Sequence, residues 1–264
     1  MQILKIFAFF TPSPTLPLPL RKEKGTVLPL RRGVRGVIFY FFSIIILTSC
    51  SINQVSSSKS FYHNFKHLSK KEIEGKDFAI ESQFVNSEIS IIAPHSGGIE
   101  PGTYEITKAI ALDDLNYYIF SGIKEKNNQK LHIPSEKFDE PIAIYLANKS
   151  KFIITIHGCQ GDSDIIHIGG LDEFSKEIIS QELFSAGFVI TQAKSGYFSG
   201  KNPMNICNRS MQRKGVQLEI SDSLRKKMFQ DLSFDGRKTT TETFHRFVKV
   251  IKKAVEKIKI RVVD

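Results

Sequence analysis

Two histidines and one glutamate occupy positions from which they could bind a metal ion. His95 and Glu100 flank two glycines in the stretch PHSGGIE, and His157 directly follows the apolar, β-branched run KFIITI. The glycines allow a sharp turn, so the side chains of His95 and Glu100 could converge near a neighbouring strand end that carries His157. Three protein ligands with a fourth position left open are typical of catalytic zinc. Spacing alone is a weak signal, because a histidine at a strand end is more often a satisfied surface residue.

Three polar residues late in the chain could act on a substrate. Glu219 alternates with apolar residues in GVQLEI, so it lies either on a solvated sheet face or in a partly desolvated position. In the second case its pKa would be raised, and it could serve as a general base that takes a proton from water at the metal. Asn208 could donate to a substrate oxygen and Arg209 could bind a carboxylate. The alternative for this pair is a loop or cap asparagine beside a surface salt bridge.

The elements that must position these residues follow from periodicity. Strands and helices alternate over residues 83–264, which predicts a single α/β domain with a mixed β-sheet flanked by helices. The predicted strands are 87–94, 117–123, 151–157, 165–168, 188–192 and 215–220, and the predicted helices are 102–112, 139–148, 171–186 and 241–258. The apolar stripe of the last helix favours packing on the sheet over binding at a membrane surface.

The positive charge is concentrated at the amino end. The chain carries a net charge of +10, and residues 1–49 contain seven of its 37 basic residues and one of its 27 acidic residues. The remaining residues are only slightly basic. Nucleic acid is therefore not an expected partner, although the chain as a whole is basic.

Residues 1–49 are predicted to be a signal or lipoprotein leader. An apolar run at 37–49 follows RRGVRG and ends in LTSC, which resembles the bacterial lipobox, so Cys50 is expected to be lipidated. An uncleaved amino-terminal anchor is the alternative. Residues 1–36 are Pro-rich and too long for a leader's basic region, which suggests spurious upstream translation. Residues 50–82 are expected to be a tether, and the protein to be lipid-anchored in the cell envelope, at the outer membrane or facing the periplasm in a Gram-negative cell.

Six motifs occur in the order found in one known family. The stretches PHSGGIEPGTYEI, LHIPSEKFDEP, IHGCQGD, IGGLDE, NPMNICNR and GVQLEIS together resemble the poly-γ-glutamate hydrolase family of phages and bacteria, over residues 83 to about 229. The resemblance implies a zinc-carboxypeptidase-like fold. It departs from the family at Ser96, where glycine is more common, and serine fits there unless φ is positive.

The resemblance also implies roles for individual residues. His95, Glu100 and His157 match the ligands of Zn²⁺, Glu219 matches the catalytic carboxylate, and Asn208 with Arg209 matches residues at the substrate carboxylate. The implied reaction is hydrolysis of an amide made through a glutamate γ-carboxyl, in poly-γ-glutamate or a γ-glutamyl peptide. Two alternatives remain open: an amidase on γ-linked glutamate in peptidoglycan peptides, and a non-catalytic lipoprotein that binds an anionic glutamate polymer.

Other polar residues are given lesser roles. Cys159 and Cys207 are expected either to form a disulfide or to be small buried thiols. The resemblance implies that His132 and Asp139, in LHIPSEKFDEP, lie near the site, and structural or supporting roles are expected for them. The basic residues at 224–227 are interpreted as a solvated helix face.

Overall fold

A mixed β-sheet forms the centre of the described structure. The computed structural model describes residues 60–112, 114–193 and 195–262, so the predicted leader, Cys50 and the first part of the tether lie outside the described residues. Within this range the sheet has seven strands in the order β1-β3-β2-β4-β7-β5-β6. In chain order they are β1 (Phe78–Gln83), β2 (Ile89–Gly97), β3 (Asn116–Gly122), β4 (Phe152–Cys159), β5 (Ile165–Gly170), β6 (Val189–Gln192) and β7 (Val216–Ser221).

The central strands run in one direction. Strands β3, β2, β4 and β7 are parallel to one another, β1 is antiparallel to β3, and β5 is antiparallel to β7 but parallel to β6. The carboxyl ends of β2, β4 and β7 therefore meet at one edge, where α/β folds place their sites. The predicted α/β class with a mixed sheet is confirmed.

Helices cover both faces of the sheet. They are α1 (Phe65–Leu68), α2 (Thr103–Ala111), α3 (Pro141–Lys149), α4 (Glu173–Ser185), α5 (Asp222–Met228) and α6 (Glu242–Val262). Side chains of α2, α4, α5 and α6 share one hydrophobic core, which we name core A, and those of α1 and α3 belong to a second core on the opposite face, core B. The apolar side chains of α6, among them Phe247, Ile251 and Val255, pack into core A. This is the packing on the sheet that the sequence pattern indicated. None of the described helices is both long and apolar enough to cross a bilayer.

The folded unit begins before residue 83, which corrects the expected boundary of the tether. Tyr62, Leu68 and Phe78 are buried in core B, and β1 pairs along its whole length with β3. Asp139 fixes the same segment, because its carboxylate accepts hydrogen bonds from Phe65 N at 2.6 Å and from Asn64 Nδ2 at 2.9 Å. The part of the predicted tether that the structure describes, residues 60–82, is thus integral to the domain, and Asp139 has a structural role.

Replacing Phe78 tests this boundary. The Phe78 ring is 2% exposed and stacks on Phe120 with ring centroids 5.1 Å apart, so Phe78→Ala is expected to lower the free energy of unfolding by about 3–5 kcal/mol. Phe61, which is 57% exposed, is the control, and Phe61→Ala should change it by no more than about 0.5 kcal/mol. Urea denaturation measures the free energy of unfolding of both variants. If Phe78→Ala lost as little as Phe61→Ala, the assignment of residues 60–82 to the folded domain would be contradicted.

Candidate active site

An irregularity in β2 places His95 on the face of the sheet that holds the site. Ala93 pairs with Ile119 and Ser96 with Ser121, so three steps along β2 match two along β3 and one residue is extra. Such a bulge reverses the alternation of side chains. Without it His95 would continue the row of Ile91 and Ala93 into core A. Instead its ring lies against Phe138 of core B, with centroids 6.3 Å apart.

The three residues matched to metal ligands converge. His95 Nδ1 lies 3.2 Å from His157 Nδ1 and 3.1 Å from Glu100 Oε1, and His157 Nδ1 lies 3.6 Å from Glu100 Oε2. His95 comes from β2, Glu100 from the turn before α2, and His157 from the end of β4. Both histidines are almost fully buried. The convergence expected from the sequence is therefore present.

The hydrogen bonds around these side chains fit a bound cation. His95 Nε2 lies 2.6 Å from the carbonyl oxygen of Ile133; because a carbonyl can only accept, Nε2 carries a proton, and Nδ1 is the nitrogen that faces the other two residues. His157 Nε2 is buried without a partner among the described residues. Two imidazole nitrogens and a carboxylate are ligands that zinc prefers, and a carbonyl bonded to the far nitrogen is the usual support for a metal-binding histidine.

Glu100 is held as an anion at the centre of this group. Burial alone would raise its pKa, but the imidazoles of His95 and His157 hold the pKa of Glu100 well below its usual range. Its Oε2 also accepts a hydrogen bond from Gly158 N at 2.8 Å. Ser96, beside this turn, lies outside the positive-φ residues, and its hydroxyl pairs with Thr103 Oγ1 at 3.0 Å. The serine therefore fits the backbone without strain.

Glu219 lies beside the metal-binding candidates and is buried. In the sheet register it pairs with His157 on β4 and with His167 on β5, so the three side chains lie on the same face. Glu219 is 3% exposed, which rules out the solvated sheet face. Burial and then the charge of Glu100 raise the pKa of Glu219 well above that of an ordinary carboxyl. Its Oε1 accepts from Gln217 Nε2 at 2.9 Å, and Gln217 Oε1 accepts from Asn205 Nδ2 at 2.8 Å.

His132 is closer to the site than its expected supporting role suggested. Its ring stacks on His95 with centroids 4.0 Å apart, and its Nε2 lies 3.9 Å from Glu100 Oε1. His95, Glu100 and His132 each offer a ligand atom, and these atoms lie within 4.8 Å of one another. Burial and the neighbouring His95 lower the pKa of His132 to about 3, so its imidazole is neutral. The resemblance predicted that His132 lies near the site, but a loop without periodicity does not predict that its ring contacts His95.

Asn208 bonds only to the backbone, which does not favour the contact with substrate expected for it. Its Oδ1 accepts from Leu171 N and Gly215 N, each at 3.2 Å, and its Nδ2 donates to the carbonyls of Gly200 and Asn202 at 2.7 and 2.9 Å. The side chain is fully buried, and these four bonds use its hydrogen-bonding capacity. Asn208 therefore fastens backbone segments together.

Arg209 keeps donors for another group. Its Nε donates to Met204 O at 3.0 Å and its Nη1 lies 3.5 Å from Phe138 O. Its Nη2 has no hydrogen-bond partner among the described residues, and the side chain is only partly buried. An arginine so placed can still bind a carboxylate.

Two other interpretations are settled by burial. Cys159 and Cys207 are both free and buried, so they are small buried thiols and not a disulfide. Burial raises the pKa of Cys159 to about 12, which leaves little thiolate at neutral pH. Arg225 belongs to the basic run interpreted as a solvated helix face, yet it is 4% exposed. The interpretation is wrong for Arg225, whose guanidinium lies against backbone of the site.

Comparison with known proteins agrees with this geometry. The sequence profile described as poly-gamma-glutamate hydrolase matches residues 62–250. The YmaC protein of Bacillus subtilis (strain 168) is 30% identical over 234 residues, which cover 86% of this chain and 99% of YmaC. The YndL protein of the same organism is 31% identical over 196 residues, 74% of this chain and 77% of YndL.

Solved structures give the same result. A bacteriophage poly-gamma-glutamate hydrolase superposes with a TM-score of 0.74 at 33% identity, covering 76% of this chain and 99% of the phage enzyme. A zinc-free apo form of YndL superposes with a TM-score of 0.72 at 30% identity, covering 75% of this chain and 98% of the YndL chain. Sequence and fold thus agree over almost the whole described domain, and the chain belongs to the poly-gamma-glutamate hydrolase family.

Proposed function

We propose that this protein is a zinc-dependent hydrolase of γ-glutamyl amide bonds, with poly-γ-glutamate as its substrate. The observation that carries the proposal is the convergence of His95 Nδ1, His157 Nδ1 and the Glu100 carboxylate within 3.1–3.6 Å, in a chain of this family. A divalent cation would serve all three of these buried groups as a common partner.

The donor set supports zinc in particular. His95, Glu100 and His157 would hold the ion, and a relative with a solved structure, YndL, is described in a zinc-free form. Zinc bound at such a site acts as a Lewis acid and lowers the pKa of a nearby water. His132 lies close enough to contact either the ion or the substrate.

Glu219 is the proposed catalytic base. Its carboxyl is fixed by the hydrogen bond from Gln217, and its pKa is raised partly by the charge of Glu100. A cation held by Glu100 would offset that charge and lower the pKa of Glu219 toward the range in which it accepts a proton from water. The protonated Glu219 can then deliver its proton to the leaving nitrogen of the amide.

Arg209 is the proposed contact for a substrate carboxylate. A γ-linked glutamate chain keeps one free α-carboxylate on every unit, and a planar guanidinium matches such a group in geometry and charge. Because Arg209 lies next to Phe138 O, it is close to the loop that also carries His132. This contact would favour γ-linked over uncharged amide substrates.

Cleavage of defined polymers tests the substrate. Purified protein with zinc is expected to release new amino groups from poly-γ-glutamate but not from α-linked polyglutamate, and a chelator should abolish the release. Peptidoglycan fragments serve as a parallel substrate. Faster release from these fragments would identify the peptidoglycan amidase instead, whereas binding of the polymer without any release would identify the non-catalytic protein.

Two substitutions separate metal binding from turnover. Glu219→Gln is expected to retain zinc and to lower kcat by about 10²–10⁴-fold, because the base is lost and the ligands stay. His157→Ala should lose zinc, as measured by elemental analysis after dialysis. His245, which is exposed on α6, provides the control: His245→Ala should keep both properties. Full turnover by Glu219→Gln would remove Glu219 from the reaction.

The location in the cell is a separate proposal. We propose that a lipid on Cys50 holds the protein at the membrane of the cell envelope, on the strength of the sequence LTSC and the apolar run before it. Wild-type protein from cells is expected to partition into detergent, and Cys50→Ser to appear as a longer precursor without lipid, by mass spectrometry. The buried Cys159 is the control, because Cys159→Ser should leave lipidation intact. Lipid-free wild-type protein would refute the anchor.

A further inference from the structure

Arg225 places a buried positive charge directly beneath the proposed site. It extends from α5, and its side chain donates three hydrogen bonds to backbone carbonyls. Nη1 donates to Pro101 O at 2.6 Å, Nη2 to Cys159 O at 3.0 Å and Nε to Ile220 O at 3.0 Å. It forms no ion pair with any residue in the described part of the chain. Burying a guanidinium is costly, and the three hydrogen bonds and the nearby charge of Glu100 offset that cost.

The three carbonyls belong to the three segments that build the site. Pro101 directly follows Glu100, Cys159 is two residues beyond His157, and Ile220 directly follows Glu219. One planar group therefore joins the Glu100 turn, the end of β4 and the end of β7. The donor directions of a guanidinium are fixed, so the spacing of these segments is fixed with them.

Gly158 makes room for this group. A Cβ placed on Gly158 would lie 2.5 Å from Arg225 Cζ, a distance that forces the guanidinium to move. The same residue donates its backbone N–H to Glu100 Oε2 at 2.8 Å. The glycine between His157 and Cys159 thus lets the arginine pass beneath β4 while the backbone above it still binds the carboxylate.

We propose that Arg225 is a positioning residue that sets the distances among Glu100, His157 and Glu219 and so determines the affinity of the site for zinc. The inference rests on the proposed zinc site and deepens it. Lysine cannot replace arginine here, because one ammonium group on a flexible stem does not bridge three carbonyls in a plane.

Zinc affinity of the purified full chain, measured by competition with a chromogenic chelator, tests the role without reference to any substrate. Arg225→Lys is expected to weaken zinc binding by about 10- to 100-fold, as for other residues that support metal ligands. With saturating zinc, kcat for poly-γ-glutamate should fall while KM stays within about twofold, because substrate contacts are untouched.

Arg237 is the matched control. Arg237 is 6% exposed, so it is buried like Arg225. Its Nη1 donates to Leu232 O at 2.6 Å and its Nε donates to the Glu105 carboxylate at 2.9 Å. Arg237→Lys should lower thermal stability comparably and leave zinc affinity unchanged. If it weakened zinc binding as much as Arg225→Lys, the effect would be general destabilisation and the proposal would be overturned.

Gly158→Ala provides an independent route to the same displacement. If Arg225→Lys does not fold, Gly158→Ala is measured by itself, and wild-type zinc affinity in that variant would overturn the proposal. By itself, Gly158→Ala should weaken zinc binding at least tenfold. When it is introduced into the Arg225→Lys variant, the further loss of zinc affinity should be much smaller, because the two changes act on one contact. If Arg225→Lys bound zinc with wild-type affinity, or if the effects of Arg225→Lys and Gly158→Ala on zinc affinity were strictly additive, the role of Arg225 would be overturned while the proposed function would stand. A wild-type protein that binds no zinc would overturn the proposed function together with it.

Discussion

The extra residue in β2 is the constraint on which the site depends. Regular alternation would send His95 into the apolar core with Ile91 and Ala93, and the bulge between Ala93 and Ser96 turns it to the opposite face. There it meets His157, which reaches that face by ordinary alternation from Ile153. The two imidazoles can face one another only because one strand is irregular and its neighbour is regular. Bulges next to active sites commonly re-aim one side chain in this way.

Much of the arrangement could be predicted from the sequence, for physical reasons. The ten predicted strands and helices are present because each has a strong local period or a continuous apolar run. The convergence of His95, Glu100 and His157 followed from the rule that parallel strands end together. The start of the domain could not be predicted, since α1 has four residues and β1 is stabilised by pairing with β3, a contact distant in sequence.

The misassigned polar residues share one cause: type and spacing do not reveal what a long side chain or an amide is bonded to. Asn208 looked like a donor to substrate but is bonded to four backbone groups. Arg225 looked like a surface charge, and its neighbours Lys226 and Lys227 are indeed exposed. Only the fold distinguishes Arg225 from Lys226 and Lys227, because the carbonyls that bind Arg225 come from positions up to 124 residues away in the chain.

The position of β7 has a consequence for how the chain is made. Residues 216–221 form the strand that lies between β4 and β5, although both neighbours are synthesised well before it. Until β7 leaves the ribosome, the four-stranded and two-stranded parts of the sheet each present an unpaired edge. Such edges readily pair with other chains. These two edges therefore stay open to mispairing until residues 216–221 have been synthesised.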